Sequence, residues 1–269
     1  MFGAILGDII GSPYEFDRGK KTKEFPMFCD RSEFTDDTVM TIAVAEALMD
    51  VNEEMEDEAI KELLVSCMRR WGRKYPFAGY GMRFSIWLAE PRPKPYGSYG
   101  NGSAMRVSPA AWLFDNLNTA RRMARLSAEV THNHPEGIKG ADAVAMAIFL
   151  GRTGKSKTEI RKFMEMEFRY DLSRTCDEIR PEYYHVESCM ETVPEAITAF
   201  LEGDSFEDVI RTAVSLGGDC DTLTAIAGSM AEGVYGVSDE MKQECYDRLP
   251  DEMKKVLRRF EERMKGNEK

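Results

Sequence analysis

The sequence lacks the features that mark several large classes of protein. Its six cysteines show no Cys-x-x-Cys spacing, its lysines and arginines form no polybasic cluster, and it has only three histidines. No apolar run approaches the roughly 20 residues that a transmembrane helix needs. With a net charge of −11, these absences predict no nucleic-acid partner, no membrane partner and no disulfide framework.

The N-terminal segment also lacks the pattern of a signal peptide. It has no basic lead and only a short apolar run, from Met1 to Asp8. Signal peptides combine a positive lead with a longer apolar stretch. Together with cysteines that we expect to stay reduced, this predicts a cytoplasmic protein. The sequence leaves the oligomeric state open.

Alternating strand patterns are nearly absent, and helical spacing of apolar residues runs along most of the chain. A typical series is Ile60, Leu63, Leu64, Cys67, Met68 and Trp71, which places one apolar stripe on a helix. We therefore predict an all-α fold, a single domain over residues 1–269 with about a dozen helices. The stretch Thr222–Ala231 is small and apolar on every face, which predicts a central helix that is buried on all sides.

Two aspartate motifs stand about 180 residues apart, each at the start of an apolar helix. They are Phe34-Thr35-Asp36-Asp37-Thr38 and Gly217-Gly218-Asp219-Cys220-Asp221-Thr222. Each motif alone could be an N-cap, because Asp and Thr are favoured there. If the fold joins the two helix starts, however, four carboxylates meet and repel one another unless cations neutralise them. Carboxylate and hydroxyl oxygens suit Mg²⁺, Mn²⁺ or Ca²⁺, so the pair favours a metal site.

A glycine-rich loop follows a proline-rich segment that cannot be helical. The loop, Gly97–Gly102, has three glycines in six residues and leads into a helix start. Such loops can bring backbone N–H groups to a phosphate, although most are simple turns. Tyr96 and Tyr99 flank its glycines and could stack on a base or cover the core.

Two of the three histidines lie in Thr131-His132-Asn133-His134. His-x-His can bind zinc, but no further ligand stands at a suitable spacing. We expect one histidine to donate a hydrogen bond to a substrate and the other to cap the following helix. His185 stands alone, and the sequence assigns it no role.

Two carboxylates near the N-terminus have different surroundings. Asp8 lies within an apolar helix, where a lone carboxylate needs a partner or a helix end. Glu15 follows a Gly-Ser-Pro break, so we expect it on a loop. Next to a metal centre it would be a candidate general acid or base, and otherwise an ordinary solvated glutamate.

Taken together, these motifs resemble those of the ADP-ribosylglycohydrolase family, the group that includes dinitrogenase-reductase-activating and ADP-ribosyl-acceptor hydrolases. They occur in family order from residue 3 to beyond residue 230. The matching segments are Gly3–Asp8 with Gly11-Ser12 and Glu15; Phe34–Thr38; Gly100-Asn101-Gly102 with Ala104-Met105-Arg106; Thr131-His132; and Ser215–Thr222. Each motif is weak alone, but the ordered set is specific.

The resemblance implies an orthogonal helical bundle with a binuclear Mg²⁺ or Mn²⁺ centre at one end of a cleft. The implied metal ligands are Thr35, Asp36, Asp37, Asp219, Asp221 and Thr222. The implied substrate-binding residues are Ser98, Tyr99, Gly100, Asn101, Gly102 and His132. Glu15 lies on a flap in relatives and is the implied catalytic acid or base, with Asp37 as the next candidate.

The implied reaction is hydrolysis of the glycosidic bond between ADP-ribose and an acceptor, in a protein or a small conjugate. Arginine, serine and O-acetyl linkages are all used in the family, and the short motifs here look nearer to the serine and O-linked branch. The family also includes inactive proteins such as lens crystallins. A non-catalytic ADP-ribose-binding or structural protein, or a hydrolase of another nucleotide glycoside, therefore remains an alternative.

Overall fold

The computed structural model describes residues 1–16, 18–52 and 54–267, with only the backbone of Asn267. Its regular structure is helical, which confirms the predicted all-α class. The helices are α1 Phe2–Gly11, α2 Asp36–Met49, α3 Asp57–Lys74, α4 Met82–Ala89, α5 Gly102–Met105, α6 Ser108–Leu113, α7 Leu117–Glu129, α8 Pro135–Arg152, α9 Lys157–Glu167, α10 Cys176–Ile179, α11 Cys189–Glu202, α12 Phe206–Leu216, α13 Cys220–Tyr235, α14 Asp239–Arg248 and α15 Asp251–Asn267. A short 3-10 turn, Ser12–Tyr14, follows α1.

Helix α13 is the centre of the structure. Every residue from Cys220 to Glu232 is buried, and α1, α8, α11 and α12 pack around it. This confirms the prediction that the small, apolar stretch Thr222–Ala231 forms a central helix. The second aspartate motif therefore stands at the N-terminal end of the central helix.

Helix α1 crosses α13 at very short range because glycines line its contact face. A Cβ atom on Gly3 would lie 2.1 Å from the carbonyl oxygen of Gly228, and one on Gly7 would lie 2.3 Å from that of Thr224. Non-bonded heavy atoms cannot approach so closely, so only glycine fits at these two positions. The close crossing brings Asp8 on α1 next to the start of α13.

Two segments without helix form the other side of the cleft. One runs from Glu90 to Asn101, as the prolines predicted, and the other from Arg180 to Ser188. They join at an antiparallel bridge between Gly100 and Ser188, which is the extent of β-pairing in the described residues. The searched part of the chain contains no helix that is long and apolar enough to cross a membrane.

Candidate active site

The two aspartate motifs meet at one place, although nearly the whole chain separates them. The carboxylates of Asp8, Asp37 and Asp221 have oxygen atoms within 4.8 Å of one another. So do those of Glu15, Asp219 and Asp221. The two groups share Asp221, and this arrangement could hold two neighbouring cations.

Asp8 is the partner that orders the start of α2. Its carboxylate accepts hydrogen bonds from the backbone N–H of Thr35 at 2.9 Å and of Thr38 at 3.0 Å. It also accepts from both threonine hydroxyls, from that of Thr35 at 2.6 Å. These bonds fix the first turn of α2, so that Asp36 and Asp37 are held beside the start of α13.

The capping alternative does not account for the aspartate motifs. Neither Thr35 before α2 nor Asp219 before α13 makes a side-chain capping bond within the described residues. Asp37 is buried, and its Oδ1 atom finds no hydrogen-bond partner in the described part of the chain. An unpaired buried carboxylate oxygen is costly in a dry site, and a divalent cation would satisfy it. The donor set therefore fits hard cations.

The electrostatics of the cluster support the same conclusion. Burial, followed by the charges of neighbouring carboxylates, raises the pKa of Asp37 and Asp221 well above the usual range. Burial and the charge of Asp221 do the same to the pKa of Asp36, which lines the cleft. Burial raises the pKa of Asp219 to about 7. The cluster cannot hold all of its negative charges without positive counter-charge.

Glu15 lies where the 3-10 turn ends, on a loop beside the cluster, as the Gly-Ser-Pro break predicted. Burial and the charge of Asp221 raise its pKa to about 7, against the opposing influence of His185 and Arg18. A carboxyl group with such a pKa can give or take a proton near neutral pH. Its carboxylate also belongs to one of the two three-carboxylate groups, so its position suits either a proton carrier or a ligand.

The residue after Glu15 ties the loop to the far side of the cleft. The backbone N–H of Phe16 donates to the carbonyl oxygen of Gly218 at 3.1 Å. Its ring stacks on His185, with centroids 4.8 Å apart and an angle of 29° between the planes. Phe16 has a φ of +58°, an uncommon conformation for a bulky residue. The sequence assigned no role to His185, and no pattern around it indicates this contact.

The glycine loop is anchored to the cluster as well as lining the cleft. The Nδ2 atom of Asn101 donates to Oδ2 of Asp219 at 2.5 Å and to the hydroxyl of Thr192 at 3.1 Å. Gly100 donates its N–H to the Ser98 hydroxyl at 3.1 Å, and Asn101 donates its own to the carbonyl of Glu187 at 2.8 Å. Two N–H groups of the glycine-rich loop, where the sequence allowed a phosphate to bind, are therefore already used within the protein.

The remaining predicted binding residues divide between the cleft and its rim. The cleft has a volume of about 390 Å³, and Ser98, Gly100, Asn101, Gly102 and His132 all line it. Tyr99 is absent from its lining and lies 48% exposed, with its ring edge against His134. The other loop tyrosine, Tyr96, lines the cleft instead, 5.9 Å from the His132 ring.

One histidine of the Thr131–His134 segment caps a helix, and the other faces the cleft. His134 precedes α8, and its Nδ1 atom accepts the N–H of Glu136 at 3.2 Å, which confirms the capping prediction. His132 faces the cleft. The predicted ligand and substrate roles of the cleft residues remain predictions, now with a geometry that brings them together.

Comparison with known proteins agrees with the resemblance. The sequence model of the ADP-ribosylglycohydrolase family matches residues 1–269. The ADP-ribosylhydrolase ARH3 of Bos taurus is 30% identical, in an alignment that covers 91% of this chain and 87% of the relative. The ADP-ribosylarginine hydrolase Tri1 of Pseudomonas putida (strain GB-1) is 26% identical, over 96% of this chain and 80% of the relative.

A solved structure shares the fold. An ADP-ribosylglycohydrolase-related protein complex contains a chain that aligns with a TM-score of 0.67, covering 98% of this chain and 93% of its own length at 23% sequence identity. This likeness supports the fold, and the family match with the curated relatives confirms the predicted family and the predicted class of enzyme. The chain belongs to the ADP-ribosylglycohydrolase family and is a glycosidase of that family.

Proposed function

We propose that this protein hydrolyses the bond between the anomeric carbon of ADP-ribose and an acceptor, with two divalent cations, Mg²⁺ or Mn²⁺, held by the acidic cluster. The observation that carries the proposal is the pair of three-carboxylate groups that share Asp221 at one end of the cleft. The names of two relatives, the ADP-ribosylhydrolase ARH3 and the ADP-ribosylarginine hydrolase Tri1, support the choice of substrate.

The cations would be held by Asp37, Asp219 and Asp221, with Asp36 and the hydroxyls of Thr35 and Thr222 at the edge of the cluster. The Thr222 hydroxyl donates to Oδ2 of Asp37 at 3.1 Å, and that of Thr35 lies 3.5 Å from Oδ2 of Asp221. When bound, two divalent cations supply positive charge that orients ribose hydroxyls and acidifies a water.

The protein's own side chains position the metal ligands and transfer the proton. Cleavage at the anomeric carbon develops oxocarbenium character. A proton must be given to the leaving group, and one must be taken from the attacking water. Glu15, with a pKa near 7, is the proposed carrier of that proton. Asn101 holds Asp219 in place through its amide, and the glycine loop forms the wall along which the nucleotide would lie.

We propose an O-linked acceptor, in a serine side chain or an acetyl ester, because the motifs Gly100–Arg106 and Gly217–Thr222 look nearer to that branch. The similarity to Tri1, an ADP-ribosylarginine hydrolase, keeps arginine as the competing acceptor. All proposed ligand positions carry oxygen side chains, which opposes the alternative of an inactive protein of the same fold.

A panel of substrates tests the proposal. ADP-ribosyl-serine, O-acetyl-ADP-ribose and ADP-ribosyl-arginine are each incubated with the protein and Mg²⁺ or Mn²⁺, with and without EDTA, and free ADP-ribose is measured. We expect release from the O-linked substrates that EDTA abolishes. Release from the arginine substrate alone would overturn the acceptor. If none of the substrates reacts although ADP-ribose raises the melting temperature, the protein is a binding protein.

A further inference from the structure

A buried arginine in the lining of the cleft makes no ion pair with a carboxylate among the described residues. Arg106 is 1% exposed, and one of its terminal nitrogens donates to the hydroxyl of Thr131 at 2.7 Å and to the carbonyl of Ser127 at 2.9 Å. Its only acceptors in the described residues are these neutral oxygens. Such a group has to be explained, because a buried charge without an ion pair is rare.

The hydrogen bonds continue from Arg106 to a histidine in the cleft. The Thr131 hydroxyl, fully buried, lies 2.7 Å from Nδ1 of His132. Guanidinium N–H groups only donate, so the Thr131 oxygen accepts from Arg106. Its own proton then points to Nδ1, which must accept it. The Nδ1 atom therefore carries no hydrogen, and in the neutral ring the hydrogen lies on Nε2.

The other neutral tautomer would leave polar groups unsatisfied. With hydrogen on Nδ1, the Thr131 oxygen would accept from two donors, and its own buried proton would have no acceptor among the described residues. An unsatisfied buried donor is disfavoured. The doubly protonated ring has the same defect. Burial, and then the charges of Arg106 and Arg83, also lower the pKa of His132 well below its usual value.

The other ring nitrogen faces the glycine loop. A Cβ atom on Gly102 would lie 3.2 Å from Nε2 of His132, and one on Gly100 would lie 3.5 Å from it. No hydrogen-bond partner for Nε2 occurs in the ranges that the structure describes, and the histidine lines the cleft. The Nε2–H group is thus directed to where a ligand would lie.

We propose that Arg106, acting through Thr131, is a positioning residue that holds His132 as the neutral Nε2–H tautomer, so that Nε2 donates a hydrogen bond to an oxygen of the bound nucleotide. The identity of the nucleotide rests on the proposed function. The tautomer does not, because it is set by protein groups alone.

The first test measures the tautomer in the protein without ligand or metal. The chain has three histidines, so ¹⁵N spectra of protein labelled at histidine can be assigned with single variants. We expect the unprotonated nitrogen of His132 to be Nδ1 across neutral pH. Thr131→Val keeps the shape of the side chain but removes the hydroxyl, and should let the Nδ1–H form appear. Thr131→Ser should retain the wild-type spectrum.

An Nδ1–H tautomer in the wild type would overturn the proposal, and so would a Thr131→Val spectrum identical to the wild type. Arg106→Met should also release the tautomer if it folds. Because Arg106→Met could prevent folding, the variants Thr131→Val and Thr131→Ser decide the question on their own.

The second test measures the affinity for ADP-ribose by calorimetry. Thr131→Val should weaken binding about tenfold, the equivalent of one hydrogen bond, and Thr131→Ser should bind within about twofold of the wild type. If the Thr131→Val and Thr131→Ser variants bind ADP-ribose with equal affinity, the donor role of Nε2 is contradicted. If no variant, nor the wild type, binds ADP-ribose while the spectra behave as expected, the proposed function fails and the tautomer assignment stands.

Discussion

The two ends of the cleft are built on opposite electrostatic principles. At the acidic end, six carboxylates crowd together, and one buried oxygen of Asp37 has no hydrogen-bond partner in the described structure. At the glycine-loop end, burial favours a neutral His132, and the Thr131 hydroxyl joins its Nδ1 atom to Arg106, whose own Nε has no partner in the described residues. The acidic end carries negative charge that needs counter-charge, whereas at the glycine-loop end the protein already holds the ring of His132 in place.

The difference indicates how each end responds to its ligand. Carboxylates with raised pKa values take up protons when no cation is bound, so cations and protons compete for the acidic end. At the neutral end, beside the glycine loop, a ligand does not have to displace protons. It meets the Nε2–H donor of His132, which the protein holds in place. We therefore expect changes at the acidic end to alter chemistry and pH dependence, and changes at the neutral end to alter affinity.

The largest effect should follow from Asp221→Asn, because Asp221 belongs to both three-carboxylate groups. We expect kcat to fall by about 10⁴-fold or more, since several kcal/mol of cation stabilisation would be lost at two sites. The substitution should not unfold the protein, because it relieves carboxylate repulsion. The measurement is turnover with Mn²⁺ together with a count of bound metal. Asp239→Asn, an exposed position on α14, is the control, and full activity in Asp221→Asn would refute the metal site.

A second effect should follow from Glu15→Gln, which keeps the shape of the side chain but removes proton transfer. Loss of a general acid or base should reduce kcat by about 10²–10⁴-fold, while the affinity for ADP-ribose changes little. The exposed Glu24→Gln, farther along the same loop, is the control. Because Glu15 also lies within reach of Asp219 and Asp221, metal binding has to be measured too. A variant that no longer binds metal would make Glu15 a ligand rather than the proton carrier.

A third effect is a reversal of the pH dependence of stability. A carboxyl group whose pKa is raised by folding stabilises the fold while it is protonated, and this contribution is lost as pH rises through the folded pKa. For Asp219 the pKa rises from 3.8 to about 7, so the window is pH 4 to 7. In EDTA, the melting temperature should fall across that window by several degrees, since about 1 kcal/mol shifts it by roughly 2–4 °C.

Saturating Mn²⁺ should abolish this decline, because bound cations favour the charged carboxylates. Differential scanning fluorimetry at fixed ionic strength measures both series. Asp219→Asn should flatten the EDTA series, and a melting temperature that rises from pH 4 to 7 in EDTA would contradict the raised pKa values.

The sequence predicted the all-α class because helices depend on local patterns, whereas the meeting of the two aspartate motifs was implied by the resemblance to the family. Helical spacing predicts the helices, and small residues on every face of Thr222–Ala231 predict the central helix. The cleft contacts between distant loops have no such pattern. The stack of Phe16 on His185 joins positions 169 residues apart, and nothing in either segment marks it.

Arg106 shows a different limit. It lies in a motif that the sequence comparison singled out, yet its role depends on which oxygen accepts its N–H groups, and that is set by packing. Tyr99 and Tyr96 illustrate the same point, since only the fold decides that Tyr96 lines the cleft while Tyr99 lies on the rim.

The smallest effect concerns the contact that links the Glu15 loop to the rest of the cleft. The Phe16 ring stacks on His185, and the Phe16 N–H bonds to Gly218. An aromatic pair contributes about 0.5–1.5 kcal/mol, and part of this offsets the cost of a positive φ in a bulky residue. The stack should hold Glu15 beside the cluster. His185→Ala should therefore lower kcat by about two- to tenfold, with little change in metal binding.

His185→Phe separates the stack from the imidazole. Phenylalanine keeps a ring against Phe16 but loses the bond from Nε2 to Oε1 of Glu187, which is 3.1 Å long. If the stack positions Glu15, His185→Phe should keep a kcat close to the wild type while His185→Ala does not. In the Glu15→Gln background neither substitution should matter, because there is no proton carrier left to position. Equal losses in the Phe and Ala variants would instead make the imidazole of His185 the functional group. The charged end of the cleft would then depend on a histidine, as the neutral end does.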